Sequence, residues 1–198
     1  MTKKTISIFI LSLALGGTAQ AQSFVDAVKD GLSPLTNLVN SEKQAQPADS
    51  VDKKNTPKKN VQALTLKDGT VYVGEMKGKR PHGQGKAIYK NGDIYEGGFV
   101  KGLRNGKGEY RFKDGERYVG EFKDGHQHGE GVYTFSDGRK YTGKWESDYQ
   151  HGYGRMDYPN GDFYVGFWVE DERSGSGSYF FAEGASYVGE WKNDKRNG

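Results

Sequence analysis

A tyrosine recurs at Tyr72, Tyr95, Tyr118, Tyr141, Tyr164 and Tyr187, every 23 residues and without insertion or deletion. A fixed period of that length means an array of small supersecondary units that stack on one another. Each tyrosine is followed two residues on by a glycine (Gly74, Gly97, Gly120, Gly143, Gly166, Gly189) and two further on by a large apolar side chain (Met76, Phe99, Phe122, Trp145, Trp168, Trp191). A G-x-G pair comes next (Gly83/Gly85, Gly106/Gly108, Gly129/Gly131, Gly152/Gly154, Gly175/Gly177), then a turn glycine (Gly69, Gly92, Gly115, Gly138, Gly161, Gly184). With Gly198 counted as half of a broken sixth pair, these phases hold 23 of the 27 glycines beyond residue 60. The glycines are placed by register, and low complexity does not describe them.

Alternation within a unit is that of a strand. In Val71 to Lys77, Tyr72, Gly74 and Met76 share one face, and in Gly106 to Phe112 so do Gly106, Gly108, Tyr110 and Phe112. Asn91-Gly92, Asp114-Gly115, Asp137-Gly138 and Asn160-Gly161 supply the turns between units, since such dipeptides take the positive φ of tight hairpin turns. Each unit therefore reads as a β-hairpin, and the array as an all-β antiparallel meander. With the hairpin turn near Gly78 to Pro81, the large apolar residue of the first strand falls across from the G-x-G of its own hairpin. An aromatic ring then lies flat where no side chain stands. The opposite phase is polar (Glu75, Lys77, Glu96, Glu121, Lys144, Glu146), which predicts a sheet with one wet face.

Y-x-G-x-(W/F/M), six residues, G-x-G, six residues, G resembles the MORN repeat (membrane occupation and recognition nexus), over about Leu64 to Gly198, in five full copies with partial ones flanking. The resemblance implies an elongated, twisted single-layer antiparallel sheet with an aromatic-lined groove, used as a scaffold or binding surface and sometimes dimerising. In some members it implies contact with acidic phospholipids. The departures are Met76 in place of an aromatic, Glu183 before the last turn glycine, and a sixth copy that stops at Gly198.

Residues ahead of the array have another character. Residues 1–21 read as a signal peptide: Lys3 and Lys4, an apolar run from Ile6 to Leu15, then Ala19-Gln20-Ala21 as a cleavage site. That run is too short to span a bilayer. Residues 22–39 carry Phe24, Val25, Val28, Leu32, Leu35, Leu38 and Val39 at roughly helical spacing, interrupted by Gly31 and Pro34, and read as a short broken amphipathic helix. Residues 40–60 hold almost nothing apolar and read as a disordered tether, with a coil reach of roughly 25 Å. Residues 61–198 form the repeat domain. The leader and the absence of cysteine predict an exported chain, periplasmic or secreted, cleaved after Ala21.

Without Lys3 and Lys4 the net charge is near +1, which gives no bias toward nucleic acid. The balance is uneven along the array. Lys67 to Lys123 holds 13 basic against 8 acidic residues, and Asp124 to Gly198 holds 8 against 13. This charge dipole, and the unpaired strand edge of the unfinished sixth unit, each predict a route to a homodimer. Lys77, Lys79, Arg80, Lys101, Arg104 and Lys107 are the candidates for an anionic partner such as a phospholipid headgroup. Tyr95, Phe99, Tyr118, Phe122, Tyr141, Trp145, Tyr164, Trp168, Tyr187 and Trp191 are the candidates for a groove that binds a protein, an extended peptide or a glycan. A single layer is expected to leave that aromatic face partly open unless a lid, a second sheet or a ligand covers it.

No catalytic residue, metal site or cofactor is predicted. His82, His128 and His151 share one phase, but equivalent positions in neighbouring hairpins lie about 9.6 Å apart, too far for shared ligation. The G-x-G pairs lack the following helix that a phosphate-binding loop needs, and are expected to be structural, leaving room for rings. Serines lack a nucleophile-elbow context, and carboxylates are spread over turns. The expected role is a non-enzymatic scaffold or interaction module with a protein partner that the sequence does not name.

Overall fold

The computed structural model describes residues 61–197. The leader, the 22–39 segment and the tether lie outside the described residues. After β1 (Val61–Thr65), the first strands of the units are β2 (Val71–Lys77), β4 (Ile94–Val100), β6 (Arg117–Lys123), β8 (Lys140–Glu146), β10 (Phe163–Val169) and β12 (Ser186–Lys192). The second strands are β3 (Arg80–Ile88), β5 (Leu103–Arg111), β7 (His126–Thr134), β9 (Tyr149–Asp157), β11 (Glu172–Phe180) and the two-residue β13 (Lys195–Arg196). They form one open sheet in sequence order, each strand antiparallel to the next. Among the described residues there is no helix.

Two kinds of glycine make this sheet. The glycine after each tyrosine and the second glycine of each G-x-G are direct cross-strand partners, as in Gly74↔Gly85↔Gly97↔Gly108↔Gly120 and, farther on, Gly143↔Gly154↔Gly166↔Gly177↔Gly189, so a glycine row crosses the whole sheet. The row exists because a tyrosine ring lies over it. A Cβ at Gly85 would stand 2.3 Å from the Tyr72 hydroxyl, one at Gly154 2.3 Å from that of Tyr141, and one at Gly177 2.2 Å from that of Tyr164. Each hydroxyl donates to the main-chain oxygen three residues on, as Tyr95 Oη does to Gly98 O at 2.9 Å and Tyr141 Oη to Lys144 O at 3.0 Å. The first glycine of each G-x-G has φ between 62° and 77°, the left-handed region that glycine adopts without strain. There the second strand bulges by two residues against the first.

Gly154 and Gly177 also do more than the sequence predicts for them. Both are buried, and their carbonyls accept hydrogen bonds from the indoles of the following unit: Trp168 Nε1 donates to Gly154 O at 3.4 Å and Trp191 Nε1 to Gly177 O at 3.2 Å. A glycine expected only to make room for a ring is here a polar anchor for one. The physical reason is that a residue without a side chain leaves its carbonyl open to an approaching indole. Trp145, which stands in the same relation to Gly131, has no hydrogen-bond partner for its Nε1.

The bulge corrects the expected register. The large apolar residue does not face the G-x-G of its own hairpin: Phe99 pairs with Arg104 and Phe122 with Gln127. It faces the first glycine of the preceding hairpin instead, as in Gly83↔Phe99, Gly129↔Trp145 and Gly152↔Trp168. The ring over the glycine row is the tyrosine. Each tyrosine from Tyr95 to Tyr164 then meets edge-on the large aromatic of its own unit and that of the next, at 4.9–5.3 Å between centroids. An edge-to-face ladder therefore runs from unit to unit.

The turns are also distributed differently from the expectation. The two-residue turns with positive φ at both positions lie at Lys101-Gly102, Asp124-Gly125, Ser147-Asp148, Glu170-Asp171 and Asn193-Asp194. This is the hairpin geometry whose twist matches the strands. The Asn-Gly and Asp-Gly sites form wider loops with positive φ at the glycine alone. The first of these closes through Tyr89 N–H to Asp93 O and Asp93 N–H to Asn91 Oδ1. The expected wet face also changes along the array. In β10 the outward residues are Phe163, Val165, Phe167 and Val169, with Phe163 stacked on Phe180 at 4.6 Å. Near that end both faces are apolar.

Candidate binding groove

Five tyrosine rings form the floor of the tyrosine face. Tyr72, Tyr95, Tyr118, Tyr141 and Tyr164 are 0% exposed, and Phe99, Phe122, Trp145, Trp168 and Trp191 are buried beside them. The expectation that a single layer leaves these rings open is thereby corrected. The glycine row removes that limit, because rings settle between strands where no Cβ stands. Tyr187 is half-buried at the end of the array.

What faces the groove is a second aromatic tier that the strand alternation pairs with the tyrosines but does not assign to the groove. Tyr110, Phe112, Tyr133, Phe135 and Tyr158 line a concavity of about 770 Å³, above Trp145 and Trp168. Phe112, Tyr133 and Phe135 lie in a row, each ring tilted by 45–47° against the next, with centroids 4.6–5.7 Å apart. The sequence does carry a signal for this tier: an aromatic at Tyr89, Phe112, Phe135, Tyr158 and Phe181 also recurs every 23 residues.

The second-tier rings are held by carboxylates of the wider loops. Tyr110 Oη donates to Asp93 Oδ2 at 2.7 Å, while Asp93 Oδ1 accepts the Lys113 N–H one unit on. Tyr133 donates likewise to Glu116, which also accepts from Ser136, and Tyr179 to Asp162 at 2.8 Å. Burial works against ionisation of Asp93, but hydrogen bonds from Tyr110, the Lys113 N–H and Asn91 hold its carboxyl below the usual range. Glu116 is lowered in the same way, against burial, by Tyr133 and Ser136. Burial, then the bond to Asp162, pushes the Tyr179 hydroxyl up to about 12. In sequence these acids are only scattered turn residues; folding makes them staples.

One wall of the groove is a polar row at a fixed phase: Arg104, Gln127, Gln150 and Arg173. The end members are fastened. The Arg104 guanidinium lies 4.7 Å from the Tyr110 ring centre and donates to Gly125 O at 3.0 Å, and Arg173 lies 4.3 Å from the Trp191 ring centre and bonds Asp194. The two middle members are not. Gln127 and Gln150 are 8% and 5% exposed, and their side-chain amides find no hydrogen-bond partner among the described residues. The two carboxamides open onto the groove and are free to bond the polar groups of a ligand.

The other basic candidates do not gather with Arg104. Lys77, Arg80 and Lys107 belong to the opposite strand phase, and Lys79 and Lys101 are exposed at turn tips. Of the histidines, His126 is drawn to Asp148 Oδ2 at 2.5 Å and His151 lies 3.5 Å from Glu146. Among the described residues no three His, Cys, Asp or Glu side chains are grouped to hold a metal ion.

The MORN repeat pattern matches residues 72–94, 95–117, 118–138, 141–163, 164–186 and 187–198, more than half of the sequence. The chain belongs to the MORN repeat family. In MORN terms, β1 lies ahead of the first matched copy and pairs with it through Leu64↔Tyr72. Comparison with curated proteins finds no match. Among solved structures, the chain is similar to the TCP domain of SAS-4 from Drosophila melanogaster in complex with a proline-rich motif of Ana2, at 13% identity and a TM-score of 0.38, covering 72% of this chain and 86% of that one. It is also similar to the TCP10 domain of Danio rerio CPAP in complex with a STIL peptide, at 14% identity and a TM-score of 0.24, covering 68% and 74%. A third is virginiamycin B lyase from Staphylococcus aureus, at 15% identity and a TM-score of 0.18, covering 71% and 45%.

Proposed function

We propose that this MORN protein is an exported, non-enzymatic interaction scaffold whose aromatic groove holds an extended polypeptide segment of a partner. The observation that carries the reading is the wall of the groove, where the unpartnered amides of Gln127 and Gln150 stand beside Tyr133, Phe135 and Tyr158. An apolar surface with a few convergent polar groups is the usual form of a binding site. The groove candidates Trp145 and Trp168 act as its floor, and the buried tyrosines keep that floor rigid. The export part rests on the leader at Met1 to Ala21, and the chain is expected to begin at Gln22 in an envelope or secreted fraction when its N-terminus is sequenced.

A photo-crosslinking residue at Tyr133 or Tyr158 tests the groove, with Val73 and Val119 on the opposite face as references. Adducts specific to the groove positions support the reading; equal adducts from both faces count against it. The competing reading is a membrane adaptor that meets anionic headgroups through Lys77, Lys79, Arg80, Lys101 and Lys107, with Arg104 contributing from the groove. Its support is the exposure of those lysines, at turn tips and strand ends and, for Lys107, within β5. Cosedimentation with anionic vesicles at low salt separates the two, since the scaffold reading expects none. A homodimer driven by the charge dipole would dissociate as salt rises from low to physiological strength in size-exclusion chromatography.

A further inference from the structure

Building on the groove reading, we infer that the first occupant of the groove is this chain's own segment Ser23 to Val39, docked in cis. The segment carries seven large apolar residues, Phe24, Val25, Val28, Leu32, Leu35, Leu38 and Val39, and nothing in the repeat pattern accounts for them. The groove offers what such a segment lacks: rings of the second aromatic tier for its apolar side chains, and two unpartnered carboxamides for its backbone.

Connectivity favours this occupant. Val61 pairs with Glu75, so the tether reaches the sheet at the end where the two-residue turns lie, beside Met76. The Arg104, Gln127, Gln150 wall lies at that same end of its strands. From β1 to β5, where the groove begins, is about four strand spacings, roughly 19 Å, and to β7 about six, roughly 29 Å. A flexible chain of as many residues as lie in 40–60 would span roughly 25 Å, and more when stretched. Val71, Val73 and Ile88 expose apolar surface closer to β1, but on the opposite face; the groove is a concavity within the tether's reach that joins aromatic rings to a polar wall.

A tether of this length holds the segment at an effective concentration on the order of millimolar. An intrinsic dissociation constant of about 0.1 mM then keeps the groove filled about nine-tenths of the time, and a partner must compete about tenfold harder to enter. The segment would act as a built-in competitor that sets a threshold for partner binding.

The test uses the chain from Gln22 to Gly198 and a labelled synthetic peptide of residues 23–39. Fluorescence anisotropy is expected to show the peptide binding the Leu32→Ser/Leu35→Ser/Leu38→Ser variant about tenfold more tightly than the unaltered chain. Equal affinity for the two chains, or binding to neither, overturns the inference. A photo-crosslinker at Leu35 is expected to give monomer-sized adducts mapping to Tyr133, Gln150 or Tyr158, whereas dimer-sized adducts would show the segment serving a second copy and would overturn the cis form. Neither readout involves a partner protein. Loss of both alongside intact partner adducts at Tyr133 would leave the scaffold reading standing and remove only the self-docked segment.

Discussion

The tyrosine and glycine of this repeat are a single structural unit, and substitution separates the glycine's two roles. Gly131 lies under the Tyr118 ring without positive φ, so an alanine there strains nothing in the backbone and collides only with the ring. Gly131→Ala is expected to lower unfolding free energy by about 3 kcal/mol in urea titration, the upper range for overpacking. Gly115 has φ 96° and open space where a Cβ would stand, so Gly115→Ala loses only about 1 kcal/mol to left-handed strain. Equal losses at the two sites would show that the ring yields. The same burial makes the chain sensitive to alkali. Burial pushes the Tyr95, Tyr118, Tyr141 and Tyr164 hydroxyls well above the usual tyrosine range. A raised folded pKa leaves stability intact below the unfolded value of about 10 and erodes it as pH rises beyond. Tyrosinate absorbance should therefore appear together with loss of the sheet's circular dichroism; ionisation of these hydroxyls in an intact sheet would contradict their burial.

At the scale of the element, alternation made the hairpin legible, because Tyr, Gly and the large apolar residue recur two apart and so share a face. It did not reveal which ring covers which glycine. That depends on the two-residue bulge at Gly83, Gly106 and their equivalents, which follows from φ and leaves the pattern of side chains unchanged. Nor could it show that the Gly154 and Gly177 carbonyls anchor Trp168 and Trp191, since a main-chain acceptor leaves no mark in the sequence. Turn chemistry misled for a related reason: Ser147-Asp148 and Glu170-Asp171 take a tight turn against their local preference because both flanking strands are already registered. Such strain is removable. Ser147→Asn and Glu170→Asn place a residue that tolerates the left-handed region, and each is expected to raise stability by up to about 1 kcal/mol in the same titration. The loop carboxylates were visible as residues but not as staples, since their partners are one unit, about twenty residues, away. Their lowered folded pKa values mean that their contribution is complete above about pH 4.5 and is lost as pH falls through the folded values. Glu116→Gln should flatten that acid limb of a pH-stability curve, and an unchanged limb would dissociate Glu116 from it.

Across the whole molecule, each unit contacts only its neighbours, so stability resembles a chain of nearest-neighbour couplings more than a single core. The coupling is visible in the aromatic ladder. Tyr141 meets Trp145 of its own unit at 5.2 Å and Trp168 of the next at 5.3 Å, while among the described residues the ring contacts of Tyr187 include Trp191 of its own unit at 5.4 Å and no large aromatic of a following one. Burial follows the same gradient, from a Tyr141 with no exposed surface to a half-buried Tyr187. Tyr141→Leu removes a ring that joins two units, and leucine cannot refill a site shaped for a ring with a hydroxyl bonded to Lys144 O. A loss of about 3–4 kcal/mol is expected there, against about 1 kcal/mol for Tyr187→Leu. The two should also differ in kind. Cutting the ladder in the middle leaves the flanking hairpins as shorter arrays that unfold separately, so urea unfolding of the Tyr141 variant should broaden or split while that of the Tyr187 variant stays single. Hydrogen exchange locates the break: protection should fall first in β8 and β9 for the former and in β12 for the latter, and a uniform fall in both would mean that the sheet behaves as one cooperative core after all.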